Sequence, residues 1–198
     1  MPYTTVVTFT AGDALAAADL NSNFGNLDYL NAKINEQIQI GAGAMVPAAS
    51  SGASPGEFTT SNQRTYTCMD FIDGSITYAV VCISLPSDYD GGTMTAKFYW
   101  TANSTSTNSV VWSIGGVAIG DDETLDVAGG TAQTVTDANK STAYKLSISD
   151  ATFAITLAGT PAAGELVRFV ISRDPTNGSD TLAATARLLK VVLTYTRA

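Results

Sequence analysis

The stretch Thr93-Met94-Thr95-Ala96-Lys97-Phe98-Tyr99-Trp100-Thr101 decides the fold. Met94, Ala96, Phe98 and Trp100 take every second position, with threonines, Lys97 and Tyr99 between them. Successive side chains of a β-strand point to opposite faces, so this alternation writes a strand with one face in a core and the other towards solvent. The same period recurs downstream. Val110, Trp112 and Ile114 alternate with Ser109, Val111 and Ser113; Tyr144, Leu146 and Ile148 with Lys145, Ser147 and Ser149; Phe153, Ile155 and Leu157 with Thr152, Ala154 and Thr156. Strands over 165–173 and 186–197 are expected to bury Val167, Phe169 and Ile171, then Leu189, Val191, Leu193 and Tyr195. The strand 76–85 differs, because Tyr78-Ala79-Val80-Val81-Cys82-Ile83 is apolar on both faces. It is expected under another layer or at a subunit interface.

Turn signals separate these runs: Asp73-Gly74, Asp90-Gly91-Gly92, Gly115-Gly116, Gly129-Gly130, Gly159-Thr160-Pro161 and Asn177-Gly178. Roughly eight short strands without a long helix predict a mainly β head over residues 64–198, an antiparallel β-sandwich of jelly-roll type. No repeat at a period of about 20–50 residues is found, which excludes solenoids and propellers.

The sequence before residue 64 reads differently. A short β-like run, Thr5 to Thr10, leads to Asp13 as a helix N-cap. Leu20, Phe24, Leu27, Asn31, Ile34 and Ile38 then follow in alternating steps of four and three. That spacing is a coiled-coil seam with one polar position, Asn31, suited to setting register. Gly25 and several asparagines weaken the helix by itself, so it needs a partner: either the head of its own chain or other copies. Residues 39–63 are rich in Gly, Ala, Ser and Pro and read as a linker. The expected organisation is therefore an attachment strand and coiled-coil helix over 1–38, a linker over 39–63, and the head.

Composition narrows the function. Charged residues are 14% of the 198-residue chain, and the net charge is −8 with no basic stripe, which argues against nucleic acid as a partner. No stretch approaches the roughly 20 apolar residues of a membrane span, and the first residues lack the basic and apolar regions of a signal peptide. The expectation is assembly in a cytoplasm and release by lysis. No histidine occurs, which removes Ser-His-Asp and Cys-His catalysis and imidazole metal sites. A paired-carboxylate glycosidase would need no histidine. Carboxylates gather at Asp88/Asp90 and at Asp121-Asp122-Glu123 with Asp126, in turn-rich segments where acids close loops, and without the ligand spacing of a calcium loop. No catalytic residue, cofactor or metal is expected. An Asp73-Gly74 hairpin would place Cys68 opposite residue 79, putting Cys82 on the other face, so both cysteines are expected reduced and buried. Trp100 and Trp112 fall on the inward parity of their strands, whereas Tyr99 and Lys97 fall outward and are candidates for a binding or subunit surface.

Two segments resemble proteins of tailed phages. Thr8-Phe9-Thr10-Ala11-Gly12-Asp13 with Ala17-Ala18-Asp19-Leu20-Asn21-Ser22-Asn23-Phe24 is similar to the N-terminal module of tail-fibre and virion proteins. The head resembles a domain of phage and prophage virion proteins through Met69-Asp70-Phe71, Leu85-Pro86-Ser87, Tyr89 to Thr93, Ala96 to Thr101 and Val110-Val111-Trp112. Ala158 to Pro161, Gly164 to Val167, Ile171 to Pro175, Asp180 to Ala183 and Ala186 to Leu189 continue that likeness. The resemblance implies a homotrimeric fibre or spike on a virion surface, joined to capsid or tail proteins through its N-terminal segment. A receptor-binding adhesin for host surface polysaccharide is the alternative, and a polysaccharide-cleaving enzyme the weaker third.

Overall fold

The computed structural model describes residues 35–198. Leu20, Phe24, Leu27, Asn31 and Ile34, with the attachment strand and the helix expected to carry them, lie outside those residues. The described chain is β throughout, apart from a single 3-10 turn at Ala42–Ala44. Its strands are β1 (Asn35–Gly41), β2 (Val46–Pro47), β3 (Ser54–Thr59), β4 (Thr65–Phe71), β5 (Thr77–Ser84) and β6 (Tyr89–Ala102). They continue as β7 (Ser109–Ile119), β8 (Gln133–Ala138), β9 (Ser147–Ile148), β10 (Leu166–Arg173) and β11 (Ala186–Arg197).

The strands form two antiparallel sheets, ordered β3-β4-β11-β6-β9 and β2-β5-β10-β7-β8, with β1 added to β11. From β4 onward every connection except β7 to β8 crosses between the sheets. That winding, with β4-β11-β6-β9 facing β5-β10-β7-β8, is the double Greek key of a jelly roll. The inner faces interdigitate. Trp112 is fully buried at the centre, stacked on Phe98 with ring centroids 5.4 Å apart and met edge-on by Phe71 and Trp100. Such aromatic pairs contribute about 0.5–1.5 kcal/mol each beyond their burial. The Trp100 indole N–H donates to Asp137 Oδ2 at 2.7 Å, which satisfies the polar end of the ring.

Inward parity holds for Met94, Ala96, Phe98 and Trp100, for Val110, Trp112 and Ile114, and for Val167, Phe169 and Ile171, all buried. Expectations at four places need correction. First, Ile38 is not the end of a helix but lies in β1, opposite Leu193 of β11. Ile38 and Ile40 alternate with glutamines, so the segment also carries the period of a strand. A seven-residue ladder on the open edge of β11, with Ile40 buried, outweighs a short helix weakened by Gly25. The linker expected over 39–63 is likewise part of the sandwich: Ala42, Met45, Ala53 and Phe58 are buried, and β3 pairs with β4.

Second, Asp73-Gly74 does not close a hairpin. β4 and β5 belong to different sheets, and the turn carries the chain from one to the other. Cys68 and Cys82 are both free, as expected, but only Cys68 is buried; Cys82 is exposed on the outer face of β5. Third, the parity of 144–153 is inverted. Ser147, Ser149 and Thr152 are buried, while Tyr144, Leu146, Ile148 and Phe153 are exposed, Phe153 at 81%. The Ser149 and Thr152 hydroxyls accept from the backbone N–H groups of Phe98 and Ala96 at 2.9 and 3.0 Å. Serving the long edge of β6 thus turns the small polar residues inward. Fourth, a bulge between Leu188 and Lys190 buries Leu188 and turns Leu189 to the outer face.

Candidate functional site

The outer face of the five-stranded sheet carries a concavity. Thr77, Ala79 and Val81 of β5 point inward, so Tyr78, Val80 and Cys82 point out. On β10 the outward set is Arg168, Val170 and Ser172. Register then aligns these residues across strands. Ser172 is opposite Tyr78 on one side and Ser113 of β7 on the other, and Ser113 is opposite Thr134 of β8. Tyr78, Ser172, Ser113 and Thr134 therefore make one row of hydroxyls across four adjacent strands. At ~4.8 Å per strand the row spans about 14 Å. Beside it runs an apolar row in which Val170 lies between Val80 and Gly115. Arg168 lies one pleat further on, between Cys82 and Val117.

The hydroxyl row, with Val170, Gly115 and Arg168, lines a groove of about 370 Å³. That volume falls in the range of small-ligand sites. Its far wall is the segment before β8. Gly130 N–H donates to Gly116 O of β7 at 3.2 Å, and a Cβ on Gly130 would lie 2.9 Å from Thr156 O, so only glycine fits between β7 and the 156–158 segment. All four residues of the hydroxyl row line the groove. Arg168 Nη2 donates to Val127 O at 3.0 Å, while its Nε is buried with no partner among the described residues. Asp174 supplies the groove's carboxylate, but its Oδ1 already accepts from Thr176 N–H and Oγ1–H at 3.0 and 2.6 Å.

A second surface lies on the six-stranded sheet. Phe58 stacks on both Tyr66 and Tyr144, and the Arg187 guanidinium sits over Phe58 and Tyr144 at 5.2 and 5.6 Å. Leu146 and Leu189 complete a shallow pocket of about 190 Å³. Tyr144 holds a φ of +60°, a left-handed conformation unusual for an aromatic residue. These rings stack on one another rather than presenting a flat free face.

Of the residues singled out in the sequence, Tyr99 and Lys97 do lie on an outer face, that of the six-stranded sheet, with the Lys190 ammonium 4.4 Å from the Tyr99 ring centre. They are remote in register from the hydroxyl row. Asp88 accepts from Tyr195 O–H and pairs with Arg197; Asp90 and Glu123 accept from the backbone N–H of Gly92 and Gly120. These acids close turns and tie strand ends. No group of three or more metal-ligating side chains occurs among the described residues. Sequence reasoning did not find Tyr78, Ser113, Thr134, Arg168 or Ser172. The outward parity of Ser113 was visible, but its partners are set by sheet order.

Fold and groove together define the chain as a jelly-roll sandwich with a solvent-facing cleft lined by both hydroxyls and apolar groups. No protein-family model and no curated protein matches it. Among solved structures it overlaps the CBM36-1 domain of a multidomain xylanase from the hindgut metagenome of Trinervitermes trinervoides, with a TM-score of 0.42, 8% identity, and coverage of 80% of this chain and 96% of that one. A carbohydrate-binding module CBM36 in complex with calcium and xylotriose gives 0.37, 8%, and 79% and 98%. The structure of infectious bursal disease virus Gx strain gives 0.38, 10%, and 84% and 33%. Overlaps this loose, at identities this low, identify neither a family nor a ligand.

Proposed function

We propose that this chain is the saccharide-binding head of a trimeric surface fibre or spike of a tailed-phage-like particle, and that it binds without catalysing. The observation that carries the reading is the hydroxyl row beside an apolar row in the groove. Hydroxyls both donate and accept, which matches the mixed demand of sugar hydroxyls. Val170 and Ile76 offer apolar surface to the C–H face of a ring, and Tyr78 an amphipathic edge. The span suits an oligosaccharide rather than a single sugar. A glycosidase would need two facing carboxylates, whereas among the described residues Asp174 is the one carboxylate lining the groove, and it is already held by Thr176.

Trimerisation rests on the seam Leu20, Phe24, Leu27, Asn31 and Ile34, without Ile38. Three weak grooves on one particle site gain about 10²–10⁴ in avidity. The N-terminal segment would join the capsid or tail. A purely structural spike is the second reading. It is favoured by the exposed Tyr66, Leu146 and Ile148 on the six-stranded sheet, which suit contact between subunits.

A glycan array probed with the full chain tests the first reading. Saturable binding that Tyr78→Ala weakens, with a native mass three times the 20.5 kDa of one chain, is the expected result. Absence of binding to every glycan at multivalent display would leave the structural spike. A single-chain mass at micromolar concentration would remove the trimer.

A further inference from the structure

Resting on the saccharide reading, we infer that the groove selects an acidic saccharide and seats its carboxylate against Arg168. Four arginines lie on the strands, and three have carboxylate partners: Arg173 with Asp180, Arg187 with Asp70, and Arg197 with Asp88 and Glu36. Arg168 has none among the described residues. Its one protein acceptor is the Val127 carbonyl, and its Nε is buried unpaired, so the protein alone does not saturate the guanidinium.

Two nearby acids are engaged elsewhere, and Asp126, beside Val127, forms no ion pair with Arg168 among the described residues. Glu165 accepts from Ala162 N–H at 2.9 Å, and Asp174 is held by Thr176. Across the sheet Arg168 faces Cys82 and Val117, neither of which neutralises it. A partly desolvated guanidinium in a cleft, next to a hydroxyl row, matches a sugar ring that bears a carboxylate. The planar fork of arginine fits that group in a two-point contact. The net charge of −8 repels polyanions at a distance. That repulsion is screened beyond about 8 Å at physiological salt, whereas a contact at Arg168 is not.

The test uses the full chain and pairs of polymers: polygalacturonate, alginate and hyaluronate, each beside its own carboxyl-reduced form. The expected result is that at least one acidic polymer binds about ten- to a hundredfold more tightly than its reduced form, the range for a hydrogen bond to a charged group. Arg168→Gln should abolish that preference while leaving the residual binding to the reduced polymer, and Arg168→Lys should keep part of it. Equal binding of acidic and reduced forms, untouched by Arg168→Gln, would overturn this inference and leave the saccharide reading standing. Binding to neither form of any pair, together with an empty glycan array, would remove both. Thermal melting of each variant separates loss of the contact from loss of the fold.

Discussion

Asp180→Ala should be among the most destabilising single changes outside the apolar core. The Asp180 carboxylate receives Arg173 Nε at 2.9 Å, Arg173 Nη2 at 2.7 Å and the Val111 backbone N–H at 3.0 Å. The Arg173 side chain is 0% exposed and that of Asp180 1%. Removing the acid leaves a full positive charge inside the sandwich, beyond reach of bulk water. Carbonyls of Phe71, Ala184 and Leu182 still accept from the guanidinium, but they carry only partial charge. Asp73, 3.7 Å away and 47% exposed, compensates weakly. Breaking one partner of a buried pair costs about 3–5 kcal/mol, against a total of about 5–15 kcal/mol for a domain. At about 2–4 °C per kcal/mol for a domain of this size, the melting temperature should fall by about 6–20 °C. Urea unfolding followed by tryptophan fluorescence would read the loss as a lower midpoint at unchanged slope. Asp180→Asn, which keeps one acceptor oxygen, should lose less. A drop under about 1 kcal/mol for Asp180→Ala would show that the charge is not confined as described.

Asp137→Ala strips the Trp100 indole N–H of its acceptor and should cost about 1–3 kcal/mol by chemical denaturation. Leu193→Ala in the fully buried part of β11 should cost about 2–5 kcal/mol, whereas Phe153→Ser, at the exposed loop, should stay within about 0.5 kcal/mol. Thiol labelling of the native chain at pH 8 should modify Cys82 quickly and Cys68 only on unfolding. Burial, and then the hydrogen bond to Asp70, push the Cys68 thiol up to about 12 from its ordinary 9.0. Between those values the native state keeps a proton that the unfolded chain releases. The stability that this thiol contributes is therefore intact below pH 9 and is lost as pH rises towards 12. Urea midpoints across that window should fall less in Cys68→Ala than in the parent chain.

The sandwich was legible because its central strands are half buried, and one face of each writes its own pattern: Met94 to Trp100 and Val110 to Ile114 could be placed from spacing alone. The pattern misled where hydroxyls replace a strand ladder, as at Ser149 and Thr152, since backbone satisfaction there outranks hydrophobic parity. It misled again over 39–63, where small residues are core pieces rather than slack; Ala42 and Ala53 are both buried in the sandwich. The groove was not legible. Its hydroxyls come from β5, β10, β7 and β8, and bringing Tyr78 beside Ser172 and Ser113 depends on sheet order and register, which no local window contains.

The position of β11 has a consequence for biosynthesis. One edge of it carries β6, and the other is shared between β4 and β1, so none of these three strands finds its place in that sheet without it. A ribosome delivers Asn35 long before its mate Thr196. Through that interval the growing polypeptide must hold raw strand edges apart from those of neighbouring nascent copies. Closure is a late, long-range event of the kind that makes folding slow. Closure of the sandwich must therefore wait for translation to pass residue 197, and losing β11 should yield aggregates rather than a smaller working unit.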